Sequence, residues 1–97
     1  MYDPILRPDP SAAGQNLTIG AASVPSTAVG SQTYAVRLTS TGNCHVKVGR
    51  NPTAVATDLL LKSTDPAMTI AVAPGDKVAV IQDGASTGTL NLIEMTH

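Results

Sequence analysis

Residues 77–95 decide the fold: KVAVIQ at 77–82, DGASTG at 83–88 and TLNLIEM at 89–95. The first segment is an apolar run of strand length, typical of a strand that is buried on both faces. The second segment carries two glycines and polar residues that favour a turn. The third alternates apolar and polar side chains, with the two-residue period of a strand that has one buried face. This region therefore indicates two β-strands and no helix.

The same two-residue period extends upstream. Residues 34–39 and 44–48 alternate apolar and polar side chains, and residues 40–43 between them favour a turn, so we expect a hairpin. Tyr34 is expected on the buried face of the first of these strands. Residues 68–72 predict another strand, and APGD at residues 73–76 predicts a type II turn, with proline at its second position and glycine at its third.

Roughly six or seven short strands at spacings of about 8 to 12 residues are typical of an all-β sandwich or barrel. We expect a small antiparallel β-sandwich, of jelly-roll or immunoglobulin-like type. Leu59–Leu61 is compatible with a short buried strand or with one turn of helix. No stretch of the chain sustains the apolar period of a helix.

Residues 1–28 have a different composition from the rest of the chain. They hold four of the seven prolines, which fix φ, remove backbone donors and favour extended geometry in the preceding residue. We therefore expect an extended N-terminal arm at 1–28 and a sandwich domain at 29–97. Leu17 and Ile19 are spaced to form a short strand within the arm. Its first residues are either a frayed terminus or a segment that docks on a neighbouring chain.

The charge balance restricts the classes of partner. The chain has six Lys+Arg and seven Asp+Glu, a net charge of −1, and two tyrosines as its only aromatic residues. A nucleic-acid binder needs excess positive charge and aromatic stacking platforms, and neither is present. No apolar run reaches the roughly 20 residues of a membrane span, and the first residues lack the pattern of a signal peptide. We expect no nucleic-acid or membrane partner, and synthesis in a cytoplasm.

Cys44 and His45 are adjacent residues of metal-ligand type, but neighbours on a strand point to opposite faces. A zinc site needs three or four converging ligands. We therefore expect Cys44 to be a buried, small apolar residue in register with Val46. His45 is expected to point outward with Arg37 and Lys47, forming a small basic face that is either simply solvated or in contact with an acidic partner.

The carboxylates do not form a catalytic pair in the sequence. Asp76 and Asp83 bracket one strand, so about 20 Å separates them at roughly 3.3 Å per residue. Asp58 and Asp65 fall in loops, where aspartate commonly forms local turn hydrogen bonds. The chain is predicted to be no enzyme and to use no metal or cofactor.

Four segments resemble a known group of proteins: RLT at 37–39, VGRNPTA at 48–54, PGDKVAVIQDG at 74–84 and GTLNLIEM at 88–95. They are similar to small tailed-bacteriophage virion proteins of the capsid decoration or cement type, which are encoded near the capsid genes. The resemblance covers residues 33–95 and leaves the arm unmatched. It implies a place on the capsid surface, the major capsid protein as partner, and contacts between copies of the chain, with a trimer as the form that the resemblance suggests.

The expected function is therefore that of a structural virion protein, made in the host cytoplasm, that bridges and stabilises capsomers. The predicted partner-binding residues are Tyr2, Ile5, Leu6, Arg7, Arg37, His45 and Lys47. One alternative is an adaptor at the head-tail junction or on a tail fibre. A second alternative is a small carbohydrate- or ligand-binding module, which usually needs more aromatic platforms than this chain offers.

Overall fold

The computed structural model describes residues 6–96, and in that range the chain forms nine β-strands and no helix. The strands are β1 (Arg7–Pro8), β2 (Gln15–Ile19), β3 (Val24–Pro25), β4 (Ala35–Ser40), β5 (Cys44–Gly49), β6 (Leu59–Leu61), β7 (Met68–Ala71), β8 (Lys77–Gln82) and β9 (Gly88–Thr96). The predicted all-β class is confirmed, and Leu59–Leu61 is a strand.

The strands form two antiparallel sheets that pack as a sandwich. In the first sheet, β1 and β2 both pair with one side of β9, β4 pairs with its other side, and β7 lies beyond β4. The order in the second sheet is β3-β8-β5-β6. The pairs β2·β9, β3·β8, β4·β7 and β5·β6 are therefore nested one inside the next. With the two-residue strand β1 set aside, the other eight strands form two groups of four, β2-β9-β4-β7 and β3-β8-β5-β6, and their nested pairing is that of a jelly roll.

The predicted hairpin of β4 and β5 is wrong, because the two strands lie in different sheets. The turn between them crosses from one sheet to the other and packs against the β8–β9 loop. A Cβ at Gly42 would overlap the carbonyl oxygen of Thr87, so the crossing requires glycine. Alternation predicts which face of a strand is buried, but not which strand lies beside it.

The described part of the proline-rich segment forms short strands joined by turns, and it belongs to the sandwich. The segment supplies β1, β2 and β3, and the predicted strand at Leu17 and Ile19 is present as β2, paired along its full length with β9. Both side chains are buried in the core. A boundary at residue 28 therefore does not separate this segment from the core. Tyr2 and Ile5 lie outside the described residues.

The core contains the predicted inward positions of the central strands. Val36 and Leu38 of β4, together with Leu90 and Leu92 of β9, are fully buried. Tyr34 is 63% exposed, so its predicted burial is wrong. The reason is that β4 begins only at Ala35, and the buried side chain in the preceding loop is Thr33 instead.

The turns follow the local rules that the sequence indicates. Gly75 has φ +85°, as the third position of a type II turn requires, so the turn predicted at 73–76 is confirmed. Asp58, Asp65 and Asp76 each close a turn by accepting a hydrogen bond from the backbone N–H three residues earlier. These carboxylates therefore stabilise their own loops.

We predict that Ile19→Ala lowers the free energy of unfolding by about 2–5 kcal/mol, because it leaves a cavity in the core. Thr18→Ala is the matched control, since Thr18 lies on the same strand with an exposed side chain, and its effect is expected to stay within about 0.5 kcal/mol. Urea unfolding of the two variants measures the difference. Equal stabilities for the two variants would show that this segment is not part of the core.

Candidate partner interface

The predicted site residues do not come together on one surface. Arg37 lies on β4 in the first sheet, whereas His45 and Lys47 lie on β5 in the second. The predicted basic face of these three residues is therefore wrong. Arg7 lies on β1 and is exposed, and Leu6 is half-buried just before it. Whether any of these residues contacts a partner stays a prediction.

Cys44 is fully buried in the core cluster with Val46, as the sequence predicts. Burial raises the pKa of the Cys44 thiol, which keeps it protonated near neutral pH. Within residues 6–96, no group of three or more His, Cys, Asp or Glu side chains is placed to hold a metal ion. Cys44 is therefore a core residue, and the adjacent His45 has a separate role.

His45 points away from the core, but it is only 7% exposed. Its Nδ1 lies 3.0 Å from the carbonyl oxygen of Asp58, and its Nε2 lies 3.0 Å from Oδ1 of Asp83. Both acceptors favour the doubly protonated imidazolium, which donates from each nitrogen. The hydrogen bond to Asp58 is the main cause that raises the pKa of His45, and Asp83 adds to it against the opposing effect of burial.

These contacts fix the loop of residues 50–58 over the outer face of the second sheet. Near its middle, the backbone N–H of Ala54 donates to Oγ of Ser23, next to the edge strand β3. At its end, Asp58 is held by His45 and lies 3.8 Å from Nζ of Lys47 on β5. Since β8 lies between β3 and β5, the loop crosses β8. Val78, Ala79 and Val80 of β8 are fully buried, as the sequence predicts for a covered strand, whereas Ile81 is half-buried.

At one flank of the sandwich, β6 and β7 are the edge strands of the two sheets. Apolar side chains there remain exposed to solvent. We call Leu59, Leu60, Met68 and Ile70 the β6/β7 flank. Leu59 is 49% exposed and Leu60 38% exposed, while Met68 and Ile70 are half-buried. The backbones of the two sheets approach most closely at the other flank, where β2 lies near β3 and β8.

Register shows that three members of the β6/β7 flank occupy inward-facing positions. Leu59 pairs with the buried Val46, and Met68 and Ile70 pair with buried residues of β4. Residues that pair directly across two strands share a face, so these side chains point toward the space between the sheets. Core-type side chains therefore reach solvent at this flank.

Both edge strands also have a free side for backbone pairing. Among the strands that the structure describes, β6 pairs only with β5, and β7 pairs only with β4. An open edge can accept a strand from another polypeptide, and exposed apolar residues strengthen that tendency. The sequence signal for this surface was the apolar triplet Leu59–Leu61, but its exposure depends on its place at the edge of the sheet.

Glu94 is a further residue that sequence reasoning missed. It continues the inward-facing row of Leu90 and Leu92 on β9, and it is 8% exposed. Its Oε1 accepts hydrogen bonds from the backbone N–H of Gly30 at 2.9 Å and from Oγ1 of Thr33 at 2.5 Å. The sequence signal for this residue was a carboxylate at a position where the two-residue alternation of β9 points toward the core.

Comparison with known proteins identifies no relative: no family model matches the chain, and no curated protein or solved structure does so. Among the described residues there is also no helix of the length and apolar character that a bilayer span requires.

We predict that the free energy of unfolding decreases as the pH rises above about 6.5. A histidine whose pKa is higher in the folded than in the unfolded chain, where it is about 6.5, stabilises the fold below that value. This stabilisation is lost as the pH rises through the raised folded pKa of His45. Urea unfolding at closely spaced pH values measures the effect.

His45→Gln is expected to flatten this pH dependence, and Asp83→Asn to reduce it. His97→Gln is the control, because it removes the other histidine of the chain. A slope that survives in His45→Gln and disappears in His97→Gln would contradict the assignment to His45.

Proposed function

We propose that the chain is a structural virion protein of a tailed phage, which binds the outer capsid surface as a decoration protein and stabilises capsomers. The observation that carries the proposal is the β6/β7 flank, where inward-facing apolar side chains remain in contact with water. The partner at this flank is the major capsid protein. The segment before residue 7, with Tyr2, Ile5 and Leu6, adds a second contact to a neighbouring subunit.

The energetics fit a protein that acts in many copies. Burying a large aliphatic side chain contributes about 1.5–3 kcal/mol, so completing the burial of the half-exposed Leu59 and Leu60 contributes about 2 kcal/mol together. Such a contact is weak for an isolated pair of molecules. A repeating lattice presents neighbouring sites at high effective concentration, which raises the overall affinity when each copy touches more than one subunit.

The surface chemistry also supports a protein partner. Charged residues make up 13% of the chain, and the buried centres of protein interfaces are depleted in charge. The jelly roll is an architecture of viral capsid domains and also of lectins. The shared architecture supports the proposal by analogy of fold. The resemblance of four segments within residues 37–95 to phage virion proteins favours the virion over a lectin.

An adaptor at the head-tail junction or on a tail fibre is the second candidate, since the same flank would serve it equally well. Copy number separates the two, and quantitative mass spectrometry of purified particles of the source phage measures it. We expect hundreds of copies per particle. A dozen or fewer would support the adaptor, and absence from the particles would reject both.

A carbohydrate-binding module is the third candidate, and the exposure of Tyr34 favours it more than the sequence did. An exposed tyrosine ring is available to stack on a sugar. Thermal unfolding with a panel of glycans tests this candidate, and we expect no shift in Tm. A shift that is lost in Tyr34→Ala would replace the virion proposal.

We predict that the double variant Leu59→Thr, Leu60→Thr lowers the affinity for capsids lacking the protein by about tenfold or more, because it removes apolar surface from the β6/β7 flank. Threonine retains the β-propensity of the strand. Tyr34→Thr is the matched control, because it removes an exposed apolar side chain outside the flank. Cosedimentation with capsids measures affinity, and circular dichroism checks that each variant is folded.

Equal affinities for the parent and the double variant would reject this flank as the capsid contact. Size-exclusion chromatography of the free chain is a second measurement. A stable dimer or trimer that dissociates in the double variant would assign the flank to contacts between copies instead.

Deleting residues 2–5 is expected to weaken capsid binding, because it removes Tyr2 and Ile5 of the proposed second contact. Cosedimentation measures the binding, and circular dichroism checks that the variant is folded. Unchanged capsid occupancy after the deletion would remove this segment from the interface.

A further inference from the structure

One end of the sandwich contains a cavity of about 490 Å³ between the β1–β2 and β3–β4 loops. Its walls are mainly small and polar, and its charged lining groups are the carboxylates of Asp9 and Glu94. No lysine or arginine is among the described residues that line it. The volume lies within the range of small-ligand pockets, and it far exceeds that of a single ion.

Asp9 and Glu94 occupy opposite positions where the pairing of β1 with β9 ends. The backbone N–H of Asp9 donates to the carbonyl oxygen of Glu94 at 2.8 Å, which continues the register of β1 on β9 by one residue. Residues directly opposite on antiparallel strands share a face, with Cβ atoms about 5 Å apart. Like charges in this arrangement destabilise the sheet unless a cation neutralises them.

Each carboxylate has one oxygen engaged and one available. Oε1 of Glu94 accepts from Gly30 and Thr33, and Oδ1 of Asp9 accepts from the backbone N–H and Oγ of Ser11 at 2.9 and 2.7 Å. Among residues 6–96, no hydrogen bond reaches Oε2 of Glu94 or Oδ2 of Asp9. Glu94 is more than nine-tenths buried and lines the cavity, and its Oε1 is held by the β3–β4 loop.

Arg7, two residues before Asp9, is a cation whose charge acts on that carboxylate. It is exposed and does not line the cavity. The hydrogen bonds from Ser11 are the main cause that lowers the pKa of Asp9, and the charge of Arg7 contributes less. The cavity therefore presents a net negative site with two available carboxylate oxygens.

We propose that this cavity binds a guanidinium group. A guanidinium is planar, carries five N–H donors and bridges two carboxylate oxygens with charge-assisted hydrogen bonds. Hydroxyl and amide groups of Gln15, Thr27 and Ser31 line the remaining wall. A calcium ion is the poorer fit, because it takes six to eight oxygen ligands and Oε1 of Glu94 already accepts two protein hydrogen bonds.

The guanidinium comes either from an arginine side chain of a partner protein or from a free guanidine compound. This inference does not depend on the capsid proposal, since the cavity lies away from the β6/β7 flank. If the partner is the capsid protein, the cavity supplies a further, polar contact at one end of the molecule.

The test is a titration of the full ¹⁵N-labelled chain followed by NMR. Agmatine serves as the free guanidine compound, and an acetylated Gly-Arg-Gly amide peptide serves as the side-chain form. We expect saturable shifts at the amides of Gly30, Thr33 and Ser11, with a Kd on the order of 1 mM. A tighter Kd for the peptide favours a protein partner, and a tighter Kd for agmatine favours a free ligand.

Glu94→Gln and Asp9→Asn are each expected to weaken binding about tenfold, because they remove a charge but retain an acceptor oxygen. Asp65→Asn is the matched control, since it removes an aspartate charge at the opposite end of the sandwich. Should Glu94→Gln fail to fold, Asp9→Asn tests the exposed half of the pair by itself.

A Gly-citrulline-Gly peptide, which has the shape of arginine without its charge, is expected to cause no saturable shift. Equal shifts with citrulline and arginine peptides would overturn the proposal, as would unchanged affinity in both carboxylate variants. Saturable shifts of the same amides with calcium chloride, and none with either guanidine probe, would assign the cavity to a metal ion instead.

Discussion

The pairing of β9 on both of its sides is the interaction on which the rest of the structure depends. β9 runs from Gly88 to Thr96, and it is paired with β1 and β2 along one side and with β4 along the other. Its inward row supplies Leu90 and Leu92 to the core, and then Glu94 to the cavity at the end of the sandwich. One strand thus holds the N-terminal segment in place and positions both the core and the proposed guanidinium site.

The nested pairing around β9 also explains where the sandwich is closed and where it is open. Because β2 and β3 lie at one flank and β6 and β7 at the other, the buried side chains of β2 close the first flank. β6 has three residues and β7 has four, so the second flank is covered less well. The exposure of Leu59 follows from topology, and it leaves an apolar surface on a small, weakly charged domain.

The outer face of the second sheet is closed by a different means. The loop 50–58 lies across it, anchored at Ser23 and at His45. The imidazole is therefore a structural cross-link between a strand and two aspartates, and its protonation affects the stability of the loop. The same arrangement removes His45 from the solvent-exposed surface, so that a contact with a partner would have to form through the loop or through Lys47.

Sequence by itself determined the all-β class, the buried face of most strands and the turn chemistry, because these depend on near neighbours along the chain. The alternation at Val36 and Leu38, the burial of Cys44 and the turn at Gly75 are of this kind. Only the tertiary structure decided which strands are neighbours. It separated β4 from β5, incorporated residues 7–25 into both sheets and placed Asp9 opposite Glu94. The physical reason is that a two-residue period fixes the direction of a side chain, whereas strand pairing is set by the packing of distant segments around one core.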